Sequence, residues 1–198
     1  MSPITHGLLS WAIGERFLPA PRDVALVGLA GLAPDLDSLG VVLDLANGWL
    51  GRPATDYYAT LHHFLFHGIA GAVVICGGLS LLAQQRARVL ALAFLTFHLH
   101  LLCDVVGSRG PDPGEGVWPL YYLGPFSSSQ GVLVWQNQWA LNGWQNVSLT
   151  VALLAWTFYL AWRHDRSPLL PWASAAHRAL VAALRGRFGD PTTQATST

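Results

Sequence analysis

Long apolar runs dominate the chain, and their spacing sets the first expectation. Gly68 to Ala83 (GIAGAVVICGGLSLLA) and Val89 to Val106 (VLALAFLTFHLHLLCDVV) each approach the roughly 20 residues needed to cross a bilayer core. Val147 to Trp162 (VSLTVALLAWTFYLAW) is shorter and ends on Tyr159 and Trp162, side chains that favour a membrane interface. The first fifty residues hold two more apolar stretches, Ile4 to Leu18 and Val24 to Leu50, separated by PAPRD. The second is interrupted by APDLD, where Pro34 removes a backbone donor and predicts a break or bend. The pattern predicts an all-α, polytopic membrane helix bundle of about five spans.

Composition strengthens that picture. Of 198 residues, 52% are hydrophobic and 11% charged, against about 25% charged in a soluble domain. Eleven basic residues, all arginine, balance eleven acidic ones, so no bulk attraction to nucleic acid is expected and no nucleic-acid partner is predicted. Cys76 and Cys103 lie inside apolar runs without CxxC spacing and read as buried free thiols. No basic segment precedes the first apolar residues, which argues against a cleaved signal peptide.

The arginines orient the spans. Arg16, Arg22, Arg86, Arg88, Arg163 and Arg166 all fall on one side of a five-span arrangement, the cytoplasmic side by the positive-inside rule. Residues 1–166 form the expected membrane-embedded domain. Residues 167–189, with Leu180, Val181 and Leu184 against His177, Arg178, Arg185 and Arg187, read as a basic amphipathic helix on that side. Residues 190–198 (DPTTQATST) read as a disordered tail.

The remaining ionisable groups gather at the opposite end. His6, Asp35, Asp37, His62, His63, His67, His98, His100 and Asp104 come from four segments, each about 15–28 Å of helix away from the arginines. At that depth, in the outer half of the membrane, such groups are paired, coordinated or lining a wet cavity. His100 and Asp104 are four residues apart and share a helical face. His98 lies about 200° around the helix from His100 and reads as a packing histidine. The two aspartates of PDLD can converge on one site or bridge two ions. Zinc takes histidine nitrogens and aspartate oxygens, and a site with an open position activates water near neutral pH. A proton or ion path and a structural ion-pair network are the other readings of such a cluster.

The order THG, PDLD, H-x-x-x-x-H from His62 to His67, H-x-x-x-D from His100 to Asp104, and WPL at Trp118 to Leu120 resembles the LexA-regulated, membrane-bound metal-dependent hydrolases. These bacterial and archaeal inner-membrane proteins are similar to zinc-dependent phospholipase C. The resemblance runs from His6 to about Phe126. It implies a hydrolase acting on phosphate esters, with His6, Asp35, Asp37, His62, His67, His100 and Asp104 as metal ligands; the arginine asymmetry puts that site on the extracytoplasmic side. His63 stands where the family has Arg, Phe66 where it has Thr and Gly68 where it has Ser, so His63 is either a further ligand or a substrate-facing replacement.

That ligand set exceeds what one four-coordinate zinc accepts, so two or three ions are expected. The expected reaction is attack of a metal-activated water on a lipid or lipid-linked phosphate, with membrane lipids as neighbours. Asp56 and Glu115 are candidates for proton transfer, and Arg109 or Arg52 for holding phosphate. The aromatic-rich segment from Trp118 to Trp144 reads as a cover at headgroup level. A non-enzymatic membrane protein, either an ion or proton pathway or a scaffold, is the alternative function.

Overall fold

A computed structural model describes residues 1–110 and 116–191. Helix α1 (Pro3–Phe17) starts where the Ser2 hydroxyl accepts the Thr5 N–H and Pro3 fills the first turn, a position in which proline loses no helical hydrogen bond. Helix α2 (Pro21–Leu32) starts on a proline in the same way. A 3-10 segment, Ala33–Leu39, then joins it to α3 (Gly40–Trp49). The interruption therefore falls at APDLD, where Pro34 cannot donate. The chain continues through α4 (Tyr57–Leu61), α5 (Ile69–Leu81), α6 (Arg86–Gly107), a hairpin of β1 (Leu120–Tyr121) antiparallel to β2 (Val132–Leu133), α7 (Trp144–His164) and α8 (Ser174–Phe188).

Helix α2 is central and packs on α1, α5 and α6. One apolar cluster, with Trp11, Val24, Val27 and Val89, fills the end nearer the arginines. A second, with Ala30, Cys76, Phe97 and Leu101, lies toward the histidines. Small residues let α1 and α2 approach closely: a Cβ added at Gly31 would lie 1.8 Å from the Ser10 hydroxyl oxygen. Asp23, fully buried in α2, accepts the backbone N–H groups of Gln84 and Gln85 at 2.9 Å each. It thereby fixes the turn that leads into α6 from a neighbouring helix.

The described residues are mostly helical with almost no sheet. Two stretches, Pro21–Trp49 and Arg86–Gly107, are long and apolar enough to cross a membrane. The other three predicted spans do not meet that measure. At 1.5 Å per residue α1 and α5 extend only about 20–22 Å, short of a bilayer core. Helix α7 has the length but carries Gln145 and Asn146 in its first turn and threonines along its course. Apolar side chains face outward on many elements: Val42 on α3, Val74 on α5, Leu95 and Leu102 on α6 and Val151 on α7 are all more than half exposed. In α8, His177 and Val181 are buried. Residues 192–198 of the expected tail lie outside the described residues.

Candidate metal centre

Four segments bring the site together. The 3-10 segment supplies Asp35 and Asp37, the loop before α5 supplies His62, His63 and His67, α6 supplies His100 and Asp104, and α1 supplies His6. The loop is held from the hairpin side: Tyr121 N–H donates to the His63 carbonyl and Ile69 N–H to that of Tyr122. Gly68 permits this, since a Cβ there would lie 2.4 Å from the Tyr122 carbonyl oxygen.

Hydrogen bonds fix the tautomers of two buried imidazoles. His100 Nδ1 lies 2.7 Å from the Gly31 carbonyl oxygen; a carbonyl only accepts, so Nδ1 carries the proton. His67 Nδ1 lies 2.8 Å from Asp37 Oδ2 and donates likewise. The Nε2 lone pairs are thus left to face the cluster, the arrangement common in histidine metal ligands. The two Nε2 atoms are 3.1 Å apart. Asp104 Oδ2 is 2.9 Å from His100 Nε2 and 3.4 Å from His67 Nε2. Asp35 Oδ1 is 3.7 Å from the first and 3.9 Å from the second.

These separations bracket the roughly 3.3 Å edge of a tetrahedron built on metal bonds of about 2.0 Å. Acceptors packed this closely repel unless a proton or a metal ion lies among them. One donor atom from each of Asp35, His67, His100 and Asp104 lies within 4.8 Å of all the others. Asp35 Oδ2 and Asp104 Oδ2 are buried without a hydrogen-bond partner. Although Asp104 Oδ2 is close to His100 Nε2, with His100 Nδ1 protonated this is a contact between two acceptors.

Asp37, also expected as a ligand, lies outside the four-residue group. Its oxygens accept from His62 Nδ1 at 2.9 Å, His67 Nδ1 at 2.8 Å and the Phe66 N–H at 3.2 Å, so it stands behind the histidines and orients them. The spacing explains the split: two residues along a 3-10 helix turn through about 240°, and the PDLD carboxylates point apart. His6 Nε2 donates to Asp104 Oδ1 at 3.1 Å, and its ring lies on that of His100 with centroids 3.8 Å apart. Ser108 and the Met1 amine donate to the same oxygen. His6 therefore supports Asp104 and lies outside the four-residue group.

His62, His63 and His67 form a second group with metal-ligand spacing, and His67 is common to both. His63 adopts a left-handed backbone with φ 65°. Strain of this kind collects at functional sites. Its Nδ1 is buried and unpartnered, and burial drives its pKa well below the ordinary value. Burial also opposes charge on His67, but hydrogen bonds to Asp104 and Asp37 and their charges outweigh it and raise its pKa to about 9. A proton and a metal ion thus compete for one lone pair.

A cavity of about 400 Å³ adjoins both groups, lined by Asp35, Asp104, His62, His63, Tyr58, Trp118 and three serines. Trp118 packs against Tyr58, His62 and His63 at centroid distances of 5.4–5.6 Å, so one member of the aromatic-rich segment covers the site directly. Asp56 and Arg52 are exposed, as is Arg109, and none of the three lines the cavity. Glu115 lies outside the described residues. His98 turns away, donating to the Phe94 carbonyl and meeting the Tyr122 hydroxyl. Sequence reasoning missed Tyr58 and Ser108, each four residues from a site residue (His62 and Asp104) in or next to a helix, a periodicity that could have revealed both. It also missed the Gly31 carbonyl, which no side-chain pattern reports. Comparison with protein-family models, curated proteins and solved structures found no match for the chain.

Proposed function

We propose that the protein is a membrane-embedded, metal-dependent hydrolase of phosphate esters, with a lipid or lipid-linked phosphate as substrate and zinc as the metal. The observation that carries this reading is the convergence of Asp35, His67, His100 and Asp104 beside a cavity. Both imidazoles in it are held through Nδ1, leaving their Nε2 lone pairs unclaimed. These four residues, with His62 and His63 toward the cavity, would hold one ion or two. A divalent ion in such a site supplies Lewis acidity and an activated water. This chain's own residues do the rest: Asp37 and Gly31 orient the imidazoles, His6 and Ser108 steady Asp104, and Tyr58 and Trp118 limit water entry. No arginine among the described residues lines the cavity, so the negative charge of a phosphate would be met by the metal.

The ordered motifs shared with the metal-dependent hydrolases support the phosphate-ester chemistry. The exposed apolar faces and two long apolar helices support the membrane setting, the one-sided arginines support a site on the extracytoplasmic side, and the resemblance supports a bacterial or archaeal inner membrane. One observation favours a second reading: four protein donors can close a tetrahedral ion without an open position, which would make the metal a structural clamp between helices. Elemental analysis of the purified protein, with a screen of phosphate and acyl esters, separates the two. On the hydrolase reading the wild-type protein carries metal, and His100→Ala and Asp104→Asn lower the bound metal and abolish phosphoesterase activity. A metal-bound protein inactive on every ester would establish the clamp, and a stable protein that takes up no metal would overturn both.

A further inference from the structure

Building on the hydrolase reading, we infer that an apolar groove between α1 and α2 holds the hydrocarbon chain of an amphiphilic phosphate whose head enters the metal cavity. The groove encloses about 320 Å³ and is lined by Ile4, Leu8, Trp11, Leu29, Leu32 and Trp172, among others, with no charged side chain. Ile4, Leu8 and Trp11 follow i, i+4, i+7 spacing and share one face of α1, while on the same turns His6 is buried against Asp104 and Thr5 against Thr150 of α7. Gly7 and Gly28 also line the groove, where the lack of side chains lets Leu32 and Trp11 of the facing helix pack close.

Adjacency to the metal cavity points to the occupant. Pro3 lines both spaces, so the two adjoin at the first turn of α1, within reach of a molecule whose polar end sits among Asp35, Asp104 and His63. From Pro3 to Trp11 the helix rises about 12 Å, which gives an aliphatic chain a continuous apolar bed. A peptide would bring backbone N–H and C=O groups that need partners, and the groove walls are carbon. Hydrocarbon fits this chemistry and demands nothing the walls lack.

Photolabelling of the full-length protein in phosphatidylcholine vesicles tests the inference without relying on turnover. A long-chain alkyl phosphate with a diazirine at its chain end is compared with the corresponding neutral alcohol, and labelled peptides are mapped by mass spectrometry. The phosphate probe is expected to label residues 4–11 and 25–32 well above the alcohol. Leu8→Trp, which fills the groove from its rim, should lower that labelling roughly tenfold, the equivalent of about two methylenes denied burial. Leu29→Trp repeats the test from the α2 side. Equal labelling by both probes over all exposed helices would mean ordinary surrounding lipid and overturn the inference. Hydrolysis of a short, water-soluble phosphate ester is measured in parallel. Groove labelling without hydrolysis defeats the hydrolase reading alone, and hydrolysis without groove labelling defeats the groove alone.

Discussion

Asp37 shows how much of the site depends on groups that need not touch the metal. Its carboxylate accepts from two imidazoles and one amide, and an asparagine amide can accept from only one of the two rings. Asp37→Asn should therefore lower metal affinity by about 10–100-fold while the protein still folds. His100→Ala should remove nearly all binding, and metal content after dialysis distinguishes the two. Loss of metal in Asp37→Asn as complete as in His100→Ala would make Asp37 a ligand after all. His63 carries a separate, conformational constraint. Its left-handed backbone tolerates asparagine far better than a β-branched residue. His63→Val should be less stable than His63→Asn by about 1–2 kcal/mol, measured by thermal unfolding in detergent.

Helices in this protein are tied end to end by buried polar clasps. Asp23 fixes the turn into α6 from α2, so Asp23→Ala leaves two amides of that turn without their acceptor. A loss of about 1–3 kcal/mol in unfolding free energy is expected. At the far end of α7, His177 joins Ser167 to Asp165, with Nδ1 2.9 Å from the serine hydroxyl and Nε2 3.1 Å from the carboxylate. Ser167 is buried and lines none of the cavities described, so the trio reads as a link between α7 and α8. His177→Ala should speed proteolysis within residues 166–173 without changing metal content. A simultaneous loss of metal would show that the clasp reaches the site. The break at Pro34 was legible because a proline inside an apolar run has a known backbone consequence. The divergence of Asp35 and Asp37 was not, because spacing alone leaves PDLD free to be extended, whereas the chain winds into a 3-10 turn over Ala33–Leu39 that holds residues two apart about 120° from each other.

For the molecule as a whole, a proton and a metal ion bound at His67 would act against each other. His67, raised to about 9 by its carboxylate partners, must release a proton before its Nε2 can ligate a metal. Apparent metal affinity should therefore rise with pH up to about 9. Stability of metal-free protein runs the other way. The folded pKa of His67 lies above the ordinary 6.5, so the stabilisation from its charged form is complete below that value and fades as pH climbs toward 9. The gap in melting temperature between metal-loaded and metal-stripped protein should widen from pH 6.5 to 9. A gap that narrows over this range would contradict the placement of His67 among the ligands.

Hydrophobic period and composition were enough to mark the helical segments, the break near Pro34 and the residues from which a metal centre would be drawn. These are local properties, set by how each side chain meets water or its own backbone. Which of those residues face one another was decided only by tertiary structure. Close approach at Gly31 lets α1 and α2 pack and places a backbone carbonyl against His100, while the hairpin turns the 62–68 loop inward. Asp37 lies outside the four-donor group because His62, His67 and the Phe66 amide claim its oxygens, and His6 because its Nε2 turns to Asp104 Oδ1. No spacing along the chain encodes such a division, since it depends on which lone pairs are already engaged when the segments meet.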